Sequence, residues 1–406
     1  MKENIPEPNL RDSRISFISA GLILVLTTVS TRSTNNMLVT TLPILSKYVL
    51  GFPNVLIGTL SATGYVATFL ATSYFNPRLG SRMRRKMFIV SNVMVSLSLV
   101  LYYFANEITI WPVSVAVGFA FGIIFPNIIT SATLHKDHIV QMSLLAIYSV
   151  SLSLSLVVGP LLETYLLSII APREIFLAFL SLSLMGLAIS PLVKFPSIRK
   201  ERSGRTTLKN SGLVASLLSI TIYNVPFAAI TSFLVLFAVY KFDVTRDVAY
   251  SVFVYFFIVS FATRTYMAIR PFRSIRFPLL GSAIVTVAGL SVLPFVHNFT
   301  LFVIVMAILG IPHGSIFPMS TIIIARGTKP EERNAANSYF LAYNNILFIA
   351  VPIVFGYLST IIGYEVSFML LAASAAFSTV SLIRKFRSSS EIFSILEPAT
   401  HTSKND

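Results

Sequence analysis

Three ionisable side chains lie well inside apolar runs of this chain: Arg32, Arg264 and His313. An ionisable group in hydrocarbon costs a few kcal/mol or more, so by default it faces a cavity or a partner. Arg32 stands in Ser30-Thr31-Arg32-Ser33-Thr34-Asn35-Asn36, where Asn35 and Asn36 fall on its own helix face. A guanidinium presents a rigid fork of donors that meets a carboxylate or phosphate at two points. The expectation is that Arg32 grips an anionic group and that Asn35 and Asn36 complete the hydrogen bonds. The blander alternative is an arginine that bridges carbonyls freed at helix breaks. His313 changes charge near neutral pH, and no Asp or Glu lies mid-span, so it is the candidate carrier of a coupling proton. The alternative is a neutral histidine bonded to a neighbouring helix. Arg264 lies off-centre and reads as snorkelling to the interface. Glu163 and Glu365, near span ends, read as wet. Softer candidates are Asn127, Tyr343, Asn344 and Asn345.

The elements that must position these groups are written twice. Gly118-Phe-Ala-Phe-Gly122-Ile-Ile124-Phe125-Pro126 returns as Gly310-Ile-Pro-His-Gly314-Ser-Ile316-Phe317-Pro318, one G-x-x-x-G-x-I-F-P frame. The register holds onward, Pro160 falling on Pro352 and Tyr165 on Tyr357. Such internal similarity in an apolar chain implies two copies of one membrane-embedded unit. In that register Arg32 falls on Asn224, beside Tyr223 and Pro226, so the matching position is polar in both copies and charged in one.

The 406 residues are 55% hydrophobic and 12% charged, with mean hydropathy +0.78. Soluble domains carry about a quarter charged residues, so this is a membrane chain. Expected spans are 15–46, 54–75, 86–105, 111–134, 139–166 and 173–194, then 211–240, 248–269, 277–296, 299–325, 334–360 and 363–383. The expected fold is an all-α membrane protein of twelve transmembrane helices in two pseudo-symmetric six-helix bundles, residues 1–194 and 211–383. A basic linker, 195–210, joins them, and 384–406 form a tail. The net charge of +15 sits mainly on one set of loops, with Lys47, Arg173, Lys241 and Arg246 on the other side. This positive-inside bias puts both termini in the cytoplasm and explains the charge without nucleic acid. Paired glycines and mid-span prolines at matching places suit closely packed, bent helices.

Six plus six spans, a basic central linker and paired Gly/Pro frames in spans four and ten resemble the major facilitator superfamily. The basic stretch Asn76-Pro-Arg78-Leu79-Gly80-Ser-Arg82-Met83-Arg84-Arg85-Lys86 is similar to that family's loop between spans two and three, with Gly80 where the family places Asp and Met83 where it places Gly. The resemblance implies a gating role for Arg78, Arg82, Arg84 and Arg85. It also implies a central cavity lined by spans one, four, seven and ten, which favours Arg32, Asn36, Asn127, Asn224 and His313. Span five keeps Gly159-Pro160 of the family's antiporter motif, while Ser155, Glu163 and Thr164 replace its other glycines.

No Walker-type phosphate loop, Gly-x-Ser-x-Gly elbow or zinc-protease helix is present, which argues against an enzyme. His135, Asp137 and His138 form too sparse a set for a metal site, and no cofactor is expected. The chain reads as a monomeric secondary transporter in the cell membrane, moving a small anionic or zwitterionic solute by proton coupling or exchange. The proposed solute contacts are Arg32, Asn35, Asn36, Asn127, Tyr223, Asn224 and Asn344. Rival readings are an efflux pump for apolar drug-like compounds and a membrane receptor that moves nothing.

Overall fold

The computed structural model describes residues 10–132, 138–193, 195, 210–270, 272, 274–328 and 333–386. Within them twelve helical spans are long and apolar enough to cross a membrane. In chain order the helices are α1 (Leu10–Tyr48), α2 (Asn54–Leu70), α3 (Ser81–Tyr103), α4 (Ile110–Ala132), α5 (His138–Leu167), α6 (Pro172–Ala178) and α7 (Leu180–Ile189). There follow α8 (Ser211–Phe242), α9 (Arg246–Ile269), α10 (Arg276–Val292), α11 (Phe299–Gly327), α12 (Arg333–Ile361) and α13 (Gly363–Phe386). The broken pair α6 and α7 makes a single span, Glu174–Leu192. The expected span edges agree with the helices to within a few residues, because hydropathy sets where a chain enters and leaves lipid. Most of the linker and of the tail, and His135 and Asp137, lie outside the described residues.

Local sequence fixes the helix ends. Asn210 caps α8 by accepting from Leu213 N at 3.1 Å, and Asn298 caps α11 by accepting from Thr300 N at 2.7 Å. Gly363, at φ +80°, supplies the left-handed turn between α12 and α13. Outer surfaces are apolar: Val93, Leu97 and Leu101 form an exposed stripe along α3 at one-turn spacing, as a lipid-facing wall requires.

The chain divides into two compact units, one of Met1–Leu45 with Thr63–Arg199, the other of Ser46–Ala62 with Lys200–Asp406. In each, the repeated glycine frame performs the same packing task. A Cβ on Gly118 or Gly122 would drive into the backbone of Gly64 or Thr68 on α2. A Cβ on Gly310 or Gly314 would drive into the carbonyls of Phe256 or Ser260 on α9. The glycines therefore bring α4 against α2 and α11 against α9 at backbone distance. In the first unit hydroxyls use that closeness: Thr68 Oγ1 donates to Gly118 O at 2.8 Å and Thr72 Oγ1 to Gly122 O at 2.9 Å.

Candidate functional site

The first unit carries Arg32 on α1. Its guanidinium lies over the Phe125 ring, 3.7 Å from the centroid, and Nη2 donates to Tyr148 Oη at 3.2 Å. Phe125 comes from the repeated frame of α4 and Tyr148 from α5, so three helices fix one cation. An aromatic face attracts a guanidinium and leaves its in-plane donors aimed elsewhere. Among the described residues Tyr148 is the one hydrogen-bond partner of Arg32, and the side chain stays half-buried. Asn35 and Asn36 are also half-buried, and Asn36 Nδ2 donates to Ser155 O at 3.4 Å.

A polar seam between α1 and α5 continues from there. Ser33 packs on Gly159, and Thr40 Oγ1 donates to its own Asn36 O at 2.8 Å. The seam ends at Glu163, whose carboxylate oxygens lie 3.1 and 3.3 Å from Thr40 Oγ1, the single Thr40 proton being shared with Asn36 O, and accept from Thr41. Glu163 is 0% exposed, which corrects the expectation of a wet side chain. Nearness to a span end sets depth in the bilayer, but the face turned toward α1 sets burial.

Asn127 is spent elsewhere. It is buried, donates to Asn76 Oδ1 at 2.9 Å and to Ile123 O at 2.7 Å, and so ties α4 to the turn after α2. The basic loop beyond is partly anchored. Arg84 Nη2 reaches Asn76 O and Leu79 O at 3.4 and 3.2 Å, and Arg85 Nη2 reaches Pro191 O at 2.9 Å. Arg78 reaches Tyr74 O at 3.0 Å, and Arg82 is exposed.

The second unit carries its own cluster on α8, α9, α11 and α12. Asn224 Nδ2 donates to Asn344 Oδ1 at 2.7 Å, and both are buried. One residue earlier, Tyr223 lies against the His313 ring, with centroids 5.3 Å apart. His313 Nδ1 is 2.6 Å from Ser260 Oγ, and Phe227, Phe256 and Phe257 wall the ring, Phe227 at 4.5 Å. Arg264 belongs here too. Its charge is close enough to act on both Tyr223 and His313, and its Nε is buried. The snorkelling expectation is therefore corrected: α9 turns this face toward α11, inward. Tyr223 Oη, Arg264 Nε and Asn344 Nδ2 have no hydrogen-bond partner among the described residues. All three are donors, and such buried groups call for an acceptor. Sequence reasoning did not single out Tyr148, Phe125 or the inward role of Arg264.

No cluster of three or more His, Cys, Asp or Glu able to hold a metal occurs among the described residues.

A family-wide sequence model described as the Major Facilitator Superfamily matches residues 24–275 and 265–398. No curated protein matches the sequence. Among solved structures, a bacterial homologue of the human lysosomal transporter Spinster, inward-facing and unoccupied, superposes with TM-score 0.70 at 13% identity, covering 94% of this chain and 99% of that one. The human organic anion transporter MFSD10 gives TM-score 0.66 at 12% identity, with 90% and 99% covered. A POT family transporter in complex with 5-aminolevulinic acid gives 0.72 at 11%, with 90% and 95% covered. At these identities the likeness establishes the fold.

Proposed function

We propose, from the premise that this chain belongs to the major facilitator superfamily, that it is a secondary transporter of a small anionic or zwitterionic organic solute. The carrying observation is Arg32: a cation fixed by Phe125 and Tyr148, with most of its donor fork uncommitted among the described residues. An aromatic floor under a guanidinium orients the fork in one plane, the arrangement a carboxylate or phosphate meets at two points. Asn35 and Asn36 supply further hydrogen bonds on the same face. In the second unit, Tyr223, Asn344 and Arg264 add donors within an aromatic surround, a chemistry that favours the same kind of solute. Two solved relatives of this fold, one named an organic anion transporter and one holding 5-aminolevulinic acid, are compatible with such cargo. Transport would be driven by protons or exchange, in the cell membrane with both termini cytoplasmic.

The test is a thermal-stability titration of the purified protein with succinate, glutamate, benzoate and inorganic phosphate, run on wild type, Arg32→Gln and Arg32→Lys. A probe that stabilises wild type should lose its effect in Arg32→Gln and keep part of it in Arg32→Lys, which retains charge without the fork. Equal stabilisation of wild type and Arg32→Gln would overturn the reading.

A further inference from the structure

We infer that the second unit holds an anion site of its own, in which Arg264, Tyr223 and Asn344 bind one small monovalent anion of the halide class. The observation is a cation without a counter-charge. Among the described residues Arg264 makes no hydrogen bond and no ion pair, although its Nε is shut off from solvent. The described carboxylates of this unit stand elsewhere. Glu365 pairs with Lys241 at 3.7 Å. Asp243 and Asp247 flank the turn into α9, and Asp247 lies about 25 Å of helical rise from Arg264. A charge held inside a bundle without a partner is costly, and a bound anion relieves it.

The surroundings indicate which kind of anion. Tyr223 Oη and Asn344 Nδ2 are likewise buried without a partner among the described residues. Asn224 holds Asn344 by donating to its Oδ1 at 2.7 Å, so the amide still has its N–H groups to offer. Tyr223 lies against the His313 ring, and the charge of Arg264 acts on both. These donors come from α8, α9 and α12 rather than from one planar fork. Such an arrangement suits a spherical acceptor better than a flat carboxylate. One uncompensated positive charge calls for one negative charge. Phe227, Phe256 and Phe257, with ring centroids 4.5, 5.2 and 5.3 Å from that of His313, wall the cluster, and aromatic edges are partly positive. In the register of the repeat Arg264 falls on Thr72, whose hydroxyl is committed to Gly122 O at 2.9 Å. The first unit therefore has no equivalent cation at this place, and the site belongs to the second unit alone.

This rests on the transporter reading only for what the ion does, which is to accompany the solute or exchange with it. Binding is tested without solute. The purified full chain is heated across titrations of chloride and of bromide, with ionic strength held by the bulky sulfonate HEPES. Wild type and Arg32→Gln should both show a saturable rise in midpoint. Arg264→Gln should lose it, and Tyr223→Phe should need roughly tenfold more halide, the effect of losing one hydrogen bond to a charged partner. In HEPES alone Arg264→Met, which keeps an unbranched stem and drops the charge, should unfold no lower than wild type, because the cation it removes had no partner. A flat halide response in wild type overturns the inference. So does a rise kept in full by Arg264→Gln, or one lost in Arg32→Gln. A lowered midpoint of Arg264→Met in HEPES marks a structural ion pair and overturns it too. A halide rise beside a failed Arg32 titration with organic anions sinks the solute reading alone.

Discussion

Gly314 and Gly281 offer a test in which the same substitution should act with opposite signs. Alanine in place of a helical glycine gains about 1 kcal/mol by reducing the freedom of the unfolded chain and improving helix propensity. Gly281 on α10 is exposed, and a Cβ there would meet nothing within 4 Å, so Gly281→Ala should gain most of that amount. At Gly314 the new methyl would run into the carbonyl of Ser260, with Thr263 Cβ at 3.0 Å. The first obstacle is backbone and cannot swing aside, so α9 and α11 must separate. Overpacking of this kind costs about 1–3 kcal/mol, against a propensity gain of about 1 kcal/mol. The net expectation for Gly314→Ala is a loss of up to about 2 kcal/mol, and thus a gap of about 1–3 kcal/mol between the two variants. The measurement is the midpoint of irreversible loss of monodisperse protein on heating in detergent, with helical circular dichroism as second probe. Separation would also stretch the Ser260–His313 hydrogen bond, now 2.6 Å, so Gly314→Ala should disturb the second unit's polar cluster. Midpoints moving together, in the same direction and by similar amounts, would refute the claim that the repeated frame sets backbone contact.

Two further outcomes follow from single contacts. Asn344→Leu leaves the Asn224 amide unsatisfied and should destabilise by about 1–3 kcal/mol, while the Asn224→Leu/Asn344→Leu pair should cost less than the sum of its singles; additive costs in the same heating assay would show the 2.7 Å bond carries no coupling. Phe125→Leu removes the ring beneath Arg32 and about 1–2 kcal/mol of attraction, so any anion that stabilises wild type should need roughly tenfold more ligand in the stability titration; an unchanged midpoint concentration would deny the ring its orienting role.

How the chain threads the membrane was legible from composition, because twenty apolar residues in succession have few soluble explanations. The duplicated frame was legible as a repeat, and its purpose came out as close packing: Gly118 on Gly64 and Gly310 on Phe256 are equivalent contacts in the two units. Breaks inside spans were not foreseen. The turn at Phe179 divides α6 from α7 with no proline beside it, and the wide π-turn Ala71–Phe75 closes α2 just before Pro77. Such breaks answer to neighbours in space, which a hydropathy window does not contain. Arg32 was legible because a charge at mid-span has nowhere else to go, whereas its floor, Phe125, lies on a distant helix and looked like one aromatic among many.

Glu163 and Arg264 were misjudged for one shared reason, and the signal that places them was in the spacing. Depth along a span says how far a residue lies from the headgroups; rotation of the helix says whether it faces lipid or protein. Residues four apart share a face. Ser155, Gly159 and Glu163 form such a row on α5, and its first two members are small enough only for a neighbouring helix: Gly159 meets Ser33, and the Ser155 carbonyl meets Asn36. The third must then meet α1 one turn further on, where Thr40 and Thr41 stand. Phe256, Ser260 and Arg264 form the same row on α9. Phe256 and Ser260 receive Gly310 and Gly314, so Arg264 continues toward α11, beside Tyr223 and His313. Both ionisable groups are thus carried inward by the residues one and two turns before them, which lie against the neighbouring helix in the row that packs the bundle.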